Sequence, residues 1–252
     1  MESILYKYRP WNDRTKDILQ QNRLYIPTAF EFNDPFDARP LFAFSASKNR
    51  IKAKLREVQM RGHVPEIKAL PRRVLNQMAR HSSFEKTLSN AAAARWNTAL
   101  STLGIVCLTP VANSILMWSH YADRHHGICL GFGTGDSGIF GTAQKVIYSE
   151  DYPTFNYITQ RIEDVSDIIL RKAAEWSYEC EFRLVGKRGV LFLQFKPEIL
   201  EAVVIGCSMS RSDKSELRAI LKTRAAPILL IEARRAANRF HIDLIEIEHL
   251  NP

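Results

Sequence analysis

No apolar run in the 252-residue chain approaches the ~20 residues that a membrane-spanning helix needs. The opening MESILYKYRPW puts charge and proline where a secretory signal needs an apolar stretch, so the expectation is a cytoplasmic protein with no membrane partner. The four cysteines, Cys107, Cys129, Cys180 and Cys207, stand far apart. No CxxC pair exists, which argues against a zinc ribbon or a thioredoxin-type motif. A disulfide framework does not suit a chain of this size without a secretion signal. The sequence has no P-loop, no GxSxG and no HExxH, and its Gly-rich stretch Gly131-Phe132-Gly133-Thr134-Gly135 does not open a helix and reads as a turn. With 46% hydrophobic and 25% charged residues, it is neither disordered, collagen-like nor a coiled coil.

What is abundant is positive charge. The formal net charge is +8. From Lys48 to Arg80 ten basic residues face two acids, Glu57 and Glu66, so this stretch alone equals the charge of the whole chain. A second basic region runs from Arg211 to Arg239 and carries +5; the remainder sums to −5. A basic block of this kind can hold an acidic partner such as nucleic acid, or form the solvated face of helices.

Periodicity sets the organisation. Short strands are expected at 3–8, 24–26, 105–108, 127–132, 144–148 and 203–206. Helices are expected at 13–21, with Asp13 as N-cap, and at 115–122, 157–176 and 213–224. Residues 47–100 read as entirely helical, broken by Pro65 and Pro71 into two or three helices. Hairpins are expected around 187–189 and 236–238. Strands and helices do not alternate regularly, so the expectation is an α+β fold with a mixed, mostly antiparallel sheet core. It is read as one domain, 1–252, with a basic helical insertion at 47–100.

Four clusters carry side chains suited to chemistry. In Tyr6-Lys7-Tyr8-Arg9-Pro10 a strand puts the tyrosines on one face and the cations on the other; this suits a phosphate-bearing ligand or a solvated edge. Asn33-Asp34-Pro35-Phe36-Asp37 is a turn whose polar side chains bond to backbone or touch a ligand. Met117-Trp118-Ser119-His120-Tyr121 with His125-His126 gives stacking surfaces and titratable rings. Its histidine spacing of five or six does not align metal ligands on a helix, so no metal is expected. Trp118 reads equally as core. Last, Glu179 and Glu181 stand two apart at a strand entrance and would face one side, with Arg183 placed to pair with Glu181. A structural ion network is the alternative there.

The order Tyr-Lys-Tyr-Arg, Phe-Asn-Asp-Pro-Phe-Asp, Leu-Met-Trp-Ser-His-Tyr-Ala, His-Gly-Ile-Cys-Leu-Gly-Phe and Trp-Ser-Tyr-Glu-Cys-Glu-Phe-Arg resembles the bacterial domain-of-unknown-function family numbered 2971, over roughly residues 4 to 207. That family carries no assigned activity. The layout also resembles ADP-ribosyltransferases, in which an early polar strand, a later aromatic and a Glu-x-Glu complete the site. By that resemblance Tyr8 or Arg9 takes the first position, Tyr121 or Trp118 the aromatic, and Glu179-Cys180-Glu181 the last. The chain departs from the layout: no Ser-Thr-Ser stands on a strand, no His-Gly-Thr follows the first strand, and the helical block is additional.

The resemblance implies that NAD is consumed as a substrate, in a bacterial toxin or anti-phage defence effector. Glu181 would stabilise charge on the ribose, with Glu179, Tyr121 and His120 beside it in the catalytic set and Glu179 as general base. Lys7, Tyr8, Arg9, Asn33, Asp34, Trp118 and Arg183 would hold the dinucleotide. The alternatives are a non-catalytic nucleic-acid-binding module using 48–80, and a nuclease using Asp34, Asp37, Glu179 and Glu181.

Overall fold

The computed structural model describes residues 3–251 apart from 63, 82, 136–137, 162–165 and 188–190. In chain order the strands are β1 (Ile4–Arg9), β2 (Arg23–Tyr25), β3 (Leu41–Ala43), β4 (Leu103–Leu108), β5 (Ile128–Gly133), β6 (Gln144–Lys145), β7 (Ile147–Ser149), β8 (Thr154–Asn156), β9 (Arg171–Ala173), β10 (Phe182–Lys187), β11 (Phe192–Gln194), β12 (Leu200–Ile205), β13 (Ile228–Arg235) and β14 (Ile242–Leu250). The α-helices are α1 (Asp13–Gln21), α2 (Lys48–Arg61), α3 (Pro65–Lys68), α4 (Arg72–Met78), α5 (Ser83–Ser101), α6 (Ile115–Tyr121), α7 (Ser166–Ile169) and α8 (Arg211–Leu221). The fold is α+β, with mixed, mostly antiparallel pairing. The chain forms two compact units, one of Met1–Pro27, Ile105–Val146 and Glu175–Pro252, the other of Thr28–Gly104 and Ile147–Ala174.

The first unit is built on a five-stranded sheet in the order β1-β5-β12-β13-β14. Only β12 and β13 run parallel, joined by the α8 crossover. β5 is buried along its whole length, because both faces of the sheet are covered. On one face Leu5, Ile128, Leu130, Phe132, Val203 and Ile205 pack with Ile18 and Leu19 of α1 and Leu217 and Leu221 of α8. On the other, Tyr8, Cys129, Ala202 and Val204 pack with Met117, Trp118 and Ala122 in and after α6. The two leucines of α8 stand four apart, one above the other on a helix. Ser210 caps that helix by accepting a hydrogen bond from Asp213 N–H. The cap of α1 is Asn12, which accepts from Thr15 N–H, in place of the expected Asp13. A second sheet, β4-β10-β6, belongs mainly to the same unit.

The second unit contains the basic helices. Ile51, Leu55 and Val58 form the buried face of α2. The two expected breaks hold, with Pro65 opening α3 and Pro71 capping α4. The 47–100 stretch makes four helices in place of the expected two or three. Trp96 of α5 is buried and its Nε1–H donates to Ala38 O at 3.1 Å.

Two further sequence expectations fail. Of the helix expected over 157–176, the described residues form one turn, α7 (Ser166–Ile169); Ile162 and Val165, on its expected apolar face, lie outside them. Asn156 instead holds a turn, accepting from Ile158 N–H, and β9 pairs with β7 in parallel. Cross-strand pairing has overridden a helical period there. The hairpin around 187–189 also fails: β10 pairs with β4 and β6, whereas β11 pairs with β2. Phe192 is drawn to β2 by Tyr25 and by Arg23, whose guanidinium lies 4.5 Å from the ring centre. Arg188, Gly189 and Val190 lie outside the described residues. The last hairpin, β13–β14, forms as expected.

Candidate functional site

The site candidates of the first unit gather around β1, α6 and the start of β10. The alternation of β1 puts Leu5 into one apolar cluster and Tyr6 and Tyr8 into the other. Lys7 therefore points away from the tyrosines, and its Nζ donates to Cys107 O of β4 at 3.0 Å. Tyr6 N–H also bonds to Thr109 O, which carries the edge of β1 to the end of β4. Burial lowers the Lys7 pKa, opposed by the nearby Cys107 and Glu181 and reinforced by Arg9. Arg9 and Glu181 thus both act on Lys7. Burial likewise pushes the Cys107 thiol up, and Glu181 beside it adds to this. Arg9 has its Nε buried with no hydrogen-bond partner among the described residues, and burial lowers its pKa as well.

Glu181 and Arg183 form a bidentate ion pair, with Nε to Oε1 at 2.8 Å and Nη2 to Oε2 at 3.0 Å. The side chains are 3% and 0% exposed, so the charges have left water and each depends on the other. Strand period explains the pairing, since residues two apart share a face. Val146 N–H bonds to Glu181 O and ties the start of β10 to the end of the β6 segment.

Glu179 is also buried, and Tyr121 Oη donates to its Oε1 at 2.6 Å. The two carboxylates do not share a strand, contrary to the sequence reading. Glu179 ends a 3-10 turn, Ala174–Glu179, and Cys180 between them is left-handed with φ 47°. That conformation is costly for a residue with a Cβ. It lets two neighbouring acids bury against separate partners, a tyrosine and an arginine. Exposure rises outward through an aromatic group. His120 is exposed and lies 6.2 Å from Tyr121 and 6.4 Å from Tyr178, which is 6.0 Å from Trp176.

Tyr8 and Trp118 serve as packing beneath this region. Trp118 is fully buried with Nε1–H on Ala112 O; Tyr8 is 5% exposed with its hydroxyl on Val111 O, and the rings meet edge-on at 5.1 Å. Asn33 and Asp34 belong to the second unit. Asp34 accepts Phe36 N–H at 2.8 Å and Asp37 N–H bonds to Asp34 O, the turn chemistry expected of Asn-Asp-Pro. Among the described residues no three His, Cys, Asp or Glu side chains converge as metal ligands.

Sequence reasoning missed Cys107 as the neighbour of Lys7 and Glu181, and Gly127 as a requirement of the site. A Cβ on Gly127 would lie 2.1 Å from Arg9 O. The His-Gly pair before β5 was the available signal.

No curated protein and no solved structure matches the chain. A family model described as a protein of unknown function, DUF2971, matches residues 117–184, the segment that runs from α6 through Glu179, Glu181 and Arg183.

Proposed function

We propose that the first unit breaks the nicotinamide–ribose bond of NAD, as an ADP-ribosyltransferase or an NAD glycohydrolase. The observation that carries the reading is a buried carboxylate, Glu181, clamped by Arg183 with Lys7 within its field. Cleavage of that bond builds positive charge on the ribose carbon. A preoriented carboxylate in a desolvated place stabilises such charge. A carboxylate has about four lone-pair sites. In this reading Glu181 accepts a ribose hydroxyl as that charge builds. Glu179, held by Tyr121, is the base for the acceptor's proton. Lys7 and Arg9 supply positive charge for the pyrophosphate. His120, Tyr178 and Trp176 offer ring faces to the nicotinamide.

The test is nicotinamide release from NAD, with water, protein lysate and nucleic acid as acceptors. Release by the wild-type chain and its loss in Glu181→Gln support the reading. No release with any of the three acceptors overturns it. A bacterial toxin or anti-phage effector is the setting such consumption suits, and expression in a host should then arrest growth.

A second reading rests on the helices of the other unit. Arg50, Arg56, Arg61, Lys68, Arg72, Arg73 and Arg80 are exposed. Glu57 neutralises part of this surface, drawing in Lys54, Arg61 and Arg95. The rest suits a nucleic acid backbone, as the acceptor of the reaction or as a ligand without catalysis.

A further inference from the structure

The first unit holds a second cluster of reactive side chains. Cys207 follows β12 in the loop that leads into α8. Its Sγ lies 3.7 Å from His125 Nδ1. On the other side of the ring, His125 Nε2 lies 3.1 Å from Ser119 Oγ. The Ser119 hydroxyl donates to Ile115 O at 2.9 Å, so its oxygen accepts from Nε2–H. The tautomer follows: Nδ1 carries the lone pair and faces the thiol.

The arrangement is held from several sides. The His125 ring stacks on buried Trp118, with centroids 6.3 Å apart and planes 13° apart. Gly206 N–H bonds to Gly127 O and Ser208 N–H to His125 O, both at 3.0 Å. A Cβ on Gly206 would stand 2.2 Å from His125 O, so only glycine lets the Cys207 loop come this close. Asp123, Arg124 and His125 are all left-handed, with φ 46°, 52° and 69°. Such strain persists where the surroundings over-determine it.

We propose that Cys207 is a nucleophilic thiol, with His125 as its general base and Ser119 as the residue that positions the base, and that it takes a small acyl or alkyl electrophile from solvent. The Sγ–C bond forms as the bond from that carbon to its leaving group breaks; the leaving group departs with the electron pair, and the thiol proton passes to Nδ1. Burial, and then the charges of His126 and Arg235, hold the His125 pKa below its ordinary value, which keeps the ring a neutral base at neutral pH. The other thiols lack this arrangement. Burial pushes the Cys107 and Cys129 thiols up. Cys180 Sγ donates to a carbonyl, Ser177 O, and has no His partner among the described residues.

The experiment is limited iodoacetamide labelling of the folded full-length chain, with the rate at each cysteine read by peptide mass mapping. Cys207 should react at least about tenfold faster than Cys180. His125→Asn, which tolerates the left-handed backbone, should slow Cys207 by about tenfold and leave Cys180 unchanged. Ser119→Ala should slow Cys207 in the same direction and serves as the second arm should His125→Asn unfold. Equal rates at Cys180 and Cys207, or a Cys207 rate that neither folded variant alters, would overturn the proposal.

Discussion

Replacing Glu181 by Ala isolates a fully buried charge pair. The substitution removes both bonds to Arg183 and leaves a fully buried guanidinium without that carboxylate. Breaking one side of a desolvated pair typically costs about 3–5 kcal/mol. In a domain of this size that lowers Tm by roughly 6–20 °C. Arg183→Met should cost a similar amount, because it leaves the carboxylate in the same dry place. The double variant Glu181→Ala with Arg183→Met removes both charges and should sit well above the sum of the singles, with a coupling of about 2 kcal/mol or more. Urea unfolding of the four proteins measures this. Singles within about 1 kcal/mol of wild type, or strict additivity, would refute the desolvated pair. Glu181→Gln keeps the volume and an acceptor for Arg183, which makes it the variant for separating activity from stability.

Other outcomes follow from the same contacts. Tyr121→Phe removes the donor to buried Glu179 and should cost about 1–3 kcal/mol by urea unfolding. Gly127→Ala places a methyl against Arg9 O and should destabilise by about 1–3 kcal/mol or more, seen as a lower urea midpoint. His125 has its folded pKa depressed, so its contribution to stability is present above the unfolded value of about 6.5 and is lost as pH falls through the folded one. Melting at pH 8 and pH 5 should show that loss, reduced in His125→Asn. Binding of a nucleic acid duplex by the basic helices should weaken steeply with salt, and Arg72→Glu with Arg73→Glu should weaken it further in a filter or anisotropy assay.

Much of this architecture is legible in the chain. β1, α1, β5, α6, α8 and the β13–β14 hairpin follow from local apolar period and turn residues, which need no knowledge of distant partners. The Glu181–Arg183 pair follows from strand period alone. What was hidden depends on partners far along the chain. Segment 157–176 has a helical period, yet its residues 171–173 are claimed by β7. Phe192 looks like half of a local hairpin until β2 takes it. Glu179 and Glu181 look like strand neighbours because no spacing rule announces a left-handed Cys180. The partnership of Ser119, His125 and Cys207 spans 88 positions and has no contiguous motif.

The central claim is that Glu181 sits where NAD is cleaved. The most direct measurement is nicotinamide released from NAD by the folded chain, beside Glu181→Gln at matched thermal stability. The account predicts release by the wild type, abolished in the variant. Release unchanged by Glu181→Gln, or none from the wild type with water, protein or nucleic acid as acceptor, would contradict it.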